Sequence, residues 1–263
     1  MGTSKSFGGA KGETPLIPSW LSPENTEHPV PVILGDKSRF KQARANLARY
    51  VSSDGKNDSY LKKGISSYIK TSYNGAKHVA NRMGVSKTSA KELVSFLIDA
   101  ATQGLQATLH KYNLSKLQDF SLEQAYTSLV DVFCKSDGKI DTAISRDAYL
   151  LTIEELENAD MLDKLEKPDE ETIFFMLKKF ITLSIKNRLF EDIGQSIFLD
   201  NKAISVIQSI ENQIKDFIEL AVDDAIIKFK RDLTISDITN EMDKLYENSY
   251  DIMKLLTDKG DKD

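Results

Sequence analysis

Residue types that commonly carry chemistry are sparse in this chain. His28, His78 and His110 have no histidine partner four residues away, and one cysteine cannot build a structural zinc site. Cys134 lies in the apolar run Leu129, Val130, Val132, Phe133, so it reads as a buried structural thiol with no internal disulfide partner. Asp137-Gly138-Lys139-Ile140-Asp141 opens like a calcium loop. Its glycine is at the second position instead of the sixth, however, and Ala148 stands where the twelfth-position glutamate is needed. Glu154 and Glu155, like Asp223 and Asp224, are adjacent on expected helices, where neighbours do not face one another, so they read as solvated surface. Gly8-Gly9-Ala10-Lys11-Gly12 has no strand before it, and no phosphate-binding loop, dinucleotide fingerprint or nucleophile elbow occurs. The expectation is a chain with no catalytic centre of its own and no cofactor.

Two features could nevertheless do chemistry. The first is the amino terminus. Removal of Met1 exposes the Gly2 α-amine, whose pKa of about 7.7–8.0 leaves part of it unprotonated and nucleophilic at neutral pH. The opening residues also fit the short and common myristoylation pattern. The second is a basic segment. Residues 37–91 carry 13 Lys/Arg against 2 Asp/Glu, while residues 92–263 carry 20 against 34. Its cations Lys37, Arg39, Lys41, Arg44, Arg49 and Arg82 alternate with Phe40, Tyr50, Tyr60, Tyr68 and Tyr73. That pattern suits phosphate contacts with base stacking, and it equally suits aromatic core residues beneath a solvated cationic face. The opposite signs of the two regions also predict attraction between them.

The elements that must position these groups fall into three stretches: 1–35, 36–135 and 136–263. In residues 1–35, four glycines occupy the first twelve positions and five of the six prolines lie between Pro15 and Pro31, so an extended tail is expected. Leu16, Ile17, Trp20 and Leu21 are apolar residues on that tail, suited to docking on its own domain or to capture in a partner's groove, with Trp20 as anchor. From Asp36 the apolar spacing becomes helical: Phe40, Ala43, Leu47 and Tyr50, then Leu61, Ile65, Tyr68 and Ile69 before a break at Asn74-Gly75. Gly84 is expected to end the next short helix. Ser89 with Glu92, Ser121 with Gln124 and Thr234 with Asp237 have capping-box spacing. The first would start a helix running towards Leu109, and the second one that ends at Asp137-Gly138. Ile173 to Phe190 is apolar on a broad face, and Ile204, Ile207, Ile210, Ile214, Ile218 and Val222 continue one long stripe. Ser249 interrupts the last stripe. Strand-like alternation is scarce, so an all-α multi-helix bundle is expected, its late helices paired as a hairpin. No apolar run approaches the roughly 20 residues of a membrane span, and no apolar core follows Lys5 and Lys11 as in a secretory signal, so a cytoplasmic protein is expected.

The opening Met1-Gly2-Thr3-Ser4-Lys5-Ser6-Phe7-Gly8-Gly9-Ala10-Lys11-Gly12, followed by Thr14-Pro15-Leu16-Ile17-Pro18-Ser19-Trp20, resembles that of the QatB family of bacterial anti-phage defence proteins. The resemblance continues in Phe40 to Tyr50 and in the Gly75 to Met83 stretch, and covers about the first ninety residues. It implies a place beside an ATPase, a QueC-like enzyme and a TatD-like nuclease. QueC-like enzymes adenylate a deazaguanine carboxylate, so attack by a protein amine would join the nucleobase to the chain as an amide. The resemblance therefore implies Gly2 as modification acceptor, or Gly8 or Gly9 after processing, with Thr3, Ser4, Lys5 and Ser6 in the modifying enzyme's channel. A nucleic-acid-binding adaptor using the basic segment and a purely structural subunit are the alternatives.

Overall fold

A computed structural model of the chain describes residues 38–194, 202–232 and 234–258. The longest run of apolar sequence forms its central helix. This helix, α9 (Glu170–Ile193), is started by Asp169, whose carboxylate accepts from the Thr172 amide at 2.8 Å, with Glu170 and Glu171 adding favourable charge to the first turn. Ile173, Met176, Leu177, Phe180, Ile181, Ile185 and Leu189 are all buried. Together with Thr172, Thr182, Leu183 and Ile193, which are buried too, they point in every direction around the axis, as expected of a helix enclosed by others. Burial of each such side chain is worth about 1.5–3 kcal/mol before entropy is counted.

The preceding elements are α1 (Lys41–Ser52), α2 (Asp58–Ser67), α3 (Ala76–Asn81), α4 (Gly84–Gln103), α5 (Leu105–Lys111), α6 (Leu122–Ser128), α7 (Val130–Phe133) and α8 (Ile140–Asn158). A π turn, Tyr68–Ser72, continues α2. After α9 come α10 (Ile204–Asp232) and α11 (Ile238–Asp258). Among the described residues there are helices and no strand, in agreement with the all-α expectation. α9 packs against α8, α10, α4 and α1, and α11 lies against α10, α2, α3 and α4. The expected late hairpin is thus α10 with α11, and the basic and acidic stretches interlock around one core.

The opposite charges of those stretches meet in specific pairs. Lys70 reaches Asp258 at 2.5 Å, and Lys87 and Lys91 reach Asp243 at 2.7 and 3.2 Å. The capping boxes at Ser121/Gln124 and Thr234/Asp237 form. Asn74 and Gly75 both take positive φ, 58° and 118°, at the expected break. Ser249 is buried and donates to the Leu245 carbonyl, so α11 runs through it.

Three boundaries differ from expectation. Ser89 does not cap: α4 starts five residues earlier at Gly84, which begins this helix instead of ending the previous one. The polar run before Ser89 is accommodated because Ser86 bonds Ser145 at 2.9 Å, Lys87 reaches Asp243, and Thr88 donates to the Gly84 carbonyl. The apolar stripe towards Leu109 is broken at Gly104, whose φ of 83° and ψ of 160° separate α4 from α5. The helix expected from Leu122 to Asp137 is instead α6 and α7, divided at Leu129 and finished at Cys134.

Candidate functional site

The structure is most specific about chemistry where the chain enters the described body. Ser38 to Phe40 form a turn, and the buried Phe40 ring stacks on Tyr68 at 6.0 Å and lies against Tyr73 at 5.8 Å. The Arg39 guanidinium covers the Phe40 and Tyr73 rings at 4.4 and 5.0 Å, and the Arg39 carbonyl accepts from the Ser72 hydroxyl at 2.9 Å. Arg44, one turn into α1, donates through Nε and Nη2 to the Asp192 backbone carbonyl at 3.2 and 2.6 Å. That places a cation at the C-terminus of α9, where the helix dipole favours one.

Asp192 is the hub of this corner. Its Oδ2 accepts from the Tyr68 hydroxyl at 2.8 Å and from the Tyr73 hydroxyl at 2.6 Å. In a regular α-helix, residues five apart point about 140° from one another. The π turn between these two tyrosines has the wider i→i+5 repeat, which brings both phenols to one carboxylate. Burial, and then the Asp192 charge, holds Tyr68 well above the ordinary tyrosine pKa and pushes Tyr73 up to about 12. Both are therefore hydrogen-bond donors at neutral pH and not bases.

Behind this corner, Arg188 is 3% exposed and donates to Asp141 at 2.5 Å, while Arg82 stands 4.0 Å from the same carboxylate. Among the described residues, Arg82 Nε, Arg188 Nε and the Tyr250 hydroxyl are buried without a hydrogen-bond partner. Tyr250 lies within electrostatic reach of Tyr73, Arg188 and Asp192. The result is an anchoring arrangement, built to hold α1, the π turn, α8 and α9 at fixed positions.

The residues singled out from sequence are distributed unevenly. Gly2, Thr3, Ser4, Lys5, Ser6, Gly8, Gly9, Leu16, Ile17, Trp20, Leu21 and Lys37 lie outside the described residues. Arg39 and Arg44 come together in the aromatic corner and Arg82 joins the Asp141 pair, whereas Lys41 and Arg49 are exposed on α1. Asp192, Arg188 and Asp141 were not anticipated as partners of these cations. For Arg188 and Asp192 the available signal was a charged residue within or just after the apolar run that becomes α9; Asp141, on α8, carried none. Cys134 is 1% exposed and lines a cleft of about 300 Å3 with Thr88, Ser89 and Glu92. Burial pushes its thiol pKa up, against the hydrogen bond from Ser89, so it stays protonated. Among the described residues no three His, Cys, Asp or Glu side chains converge as a metal site would require. No described helix is long and apolar enough to cross a membrane.

The family model for the Qat anti-phage system associated protein QatB matches residues 74–253, well over half of the chain. The chain belongs to the QatB family. The match takes in Arg82, Asp141, Arg188, Asp192 and Tyr250, and extends far beyond the stretch on which the sequence resemblance rests. Membership gives this QatB-family chain a role in the anti-phage system, in association with its other components. No curated protein matches the chain, and no solved structure does.

Proposed function

We propose that this QatB-family chain is a non-catalytic defence subunit that binds a QueC-like partner and offers its N-terminal segment for covalent modification. The observation that carries the reading is the anchored entry of the chain into the body. Residues 1–37 lead directly into a turn fixed by the Arg39, Phe40, Tyr73 and Asp192 contacts. A substrate segment attached at such a point is presented from a fixed base, and in this reading the helical surface beyond it holds the enzyme. Leu16, Ile17, Trp20 and Leu21 supply an apolar grip. The Gly2 amine then attacks the acyl carbon of an adenylated deazaguanine carboxylate: an amide bond forms, AMP leaves, and the amine gives up a proton. Gly8 or Gly9 takes the same role if processing exposes it.

Intact-protein and N-terminal peptide mass spectrometry after co-expression, with and without the QueC-like partner, tests this reading. The expected result is a partner-dependent mass increase on Gly2, Gly8 or Gly9. An unmodified terminus in protein from phage-challenged cells carrying the whole system would overturn the modification. If the partner co-purified nonetheless, the chain would be a structural subunit, and substitution of Trp20 would then abolish assembly while blocking Gly2 would not.

A further inference from the structure

The aromatic corner uses the cations Arg39 and Arg44 internally. A different pair of cations faces outward. Between α1, α2 and the end of α11 lies a hollow of about 290 Å3, lined by Gln42, Asn46, Lys62, Lys63, Ser66 and Ser67, with Thr257 at its edge. Every one of these side chains is cationic or neutral and polar, and no carboxylate is among them. Beside it α1 and α2 pack closely at Gly64, where an added methyl group would be in ordinary contact with the Ala43 carbonyl at 3.6 Å and Asn46 Cβ at 3.7 Å.

One property distinguishes this hollow from an ordinary solvated face. Its lysines do not: Lys62 and Lys63 make no ion pair among the described residues, but neither do Lys41 and Lys77 of the same basic stretch. Asn46 and Ser67 are only 7% and 8% exposed, yet neither side chain hydrogen-bonds to any described residue. Nearly buried polar groups normally find partners. Here their unpaired atoms open into the hollow beside two ammonium groups that can only donate. The amide, hydroxyl and ammonium donors line one hollow that holds no carboxylate, Asp58 standing beside Lys62 on the neighbouring side of α2, and this donor set matches an anion with several acceptor oxygens. The positive surface also extends past the hollow. Gln42, Asn46 and Arg49 fall at i, i+4 and i+7 on α1, so the exposed Arg49 continues the same stripe.

We propose that this hollow binds a phosphate group, carried either by a free nucleotide or by a single nucleic-acid strand. The inference does not depend on modification of the N-terminal segment. It is tested on the full chain by anisotropy of a short fluorescein-labelled oligothymidylate and by calorimetry with AMP. The K62Q/K63Q variant is expected to bind about tenfold more weakly, with a salt slope shallower by about 1.4 for two lost phosphate contacts. N46A, which changes no charge, is expected to lose about three- to tenfold. A control, K77Q/K116Q, removes the same charge from exposed positions on α3 and on the turn Ser115–Leu117 and is expected to bind as wild type. AMP binding that depends on Lys62 and Lys63 identifies a nucleotide as the source; binding of the oligonucleotide alone identifies a strand. The proposal is overturned if neither probe binds, if the control loses as much as K62Q/K63Q, or if N46A is without effect.

Discussion

Replacing Asp192 with alanine removes the one group that both tyrosines of the entry corner use. Tyr68 is fully buried and Tyr73 is 8% exposed, and their hydroxyls donate to Asp192 Oδ2 at 2.8 and 2.6 Å. Hydrogen bonds to a charged acceptor contribute about 1.5–3 kcal/mol each, and a buried hydroxyl left unpaired costs about 1–3 kcal/mol. Asp192 itself is only partly buried, so water can replace some of what is lost, which sets the expected destabilisation of D192A in the lower half of the roughly 2–6 kcal/mol that two unpaired hydroxyls would cost, about 2–4 kcal/mol. The Arg44 contact is to the backbone carbonyl and survives the substitution. D192N keeps a carbonyl acceptor but not the charge, and is expected to lose about half as much. Urea denaturation followed by circular dichroism measures these differences, and the Y73F/D192A double-mutant cycle should return a coupling of about 1 kcal/mol or more. A D192A midpoint within about 0.5 kcal/mol of wild type would refute the assignment of Asp192 as hub.

Two further outcomes follow from the backbone and from the buried phenols. Gly104 has open space around its α-carbon but lies at φ 83° and ψ 160°, a region essentially reserved for glycine, so G104A should cost about 1–3 kcal/mol in the same denaturation experiment from backbone strain alone. Alkaline titration should show a lag. Burial raises Tyr68, Tyr149 and Tyr250 well above their ordinary value, and Tyr50, Tyr73 and Tyr112 to about 12. A raised acid pKa in the folded state means stability that is complete below the unfolded value of about 10 and is lost as pH climbs through the folded values. Tyrosinate absorbance should therefore rise late and together with loss of helix; gradual ionisation of Tyr50, Tyr68, Tyr73, Tyr149 and Tyr250 in the intact fold would contradict their burial.

Local signals in the sequence were legible where they are satisfied locally. The Ser121/Gln124 and Thr234/Asp237 caps close within four residues, and Asn74-Gly75 breaks the chain through its own φ preferences. The apolar run of α9 and the stripe of α10 identified the core without any knowledge of what packs on them. Ser89 misled because the polar residues ahead of it are stabilised by groups far along the chain: Ser145, 59 residues away, for Ser86, and Asp243, 156 residues away, for Lys87. The same reason hides the sites. Arg39, Arg44, Lys62 and Lys63 are equivalent as entries in a charge pattern. Only the tertiary fold assigns the first two to rings and a helix terminus and leaves the second two facing a hollow.

The π turn at Tyr68–Ser72 makes the number of residues in this segment as important as their identity. A turn of this kind holds more residues than the α-turn it replaces, and shortening it by one would rotate everything after it by about 100° relative to α2. Tyr73 would then leave the Asp192 carboxylate while every side chain in the segment stayed the same. Exposed positions in this segment such as Lys70 and Thr71 are open to drift, but a one-residue deletion is closed to it. Among QatB-family chains that keep this corner, the interval between the two aromatic residues should be inherited as a fixed length.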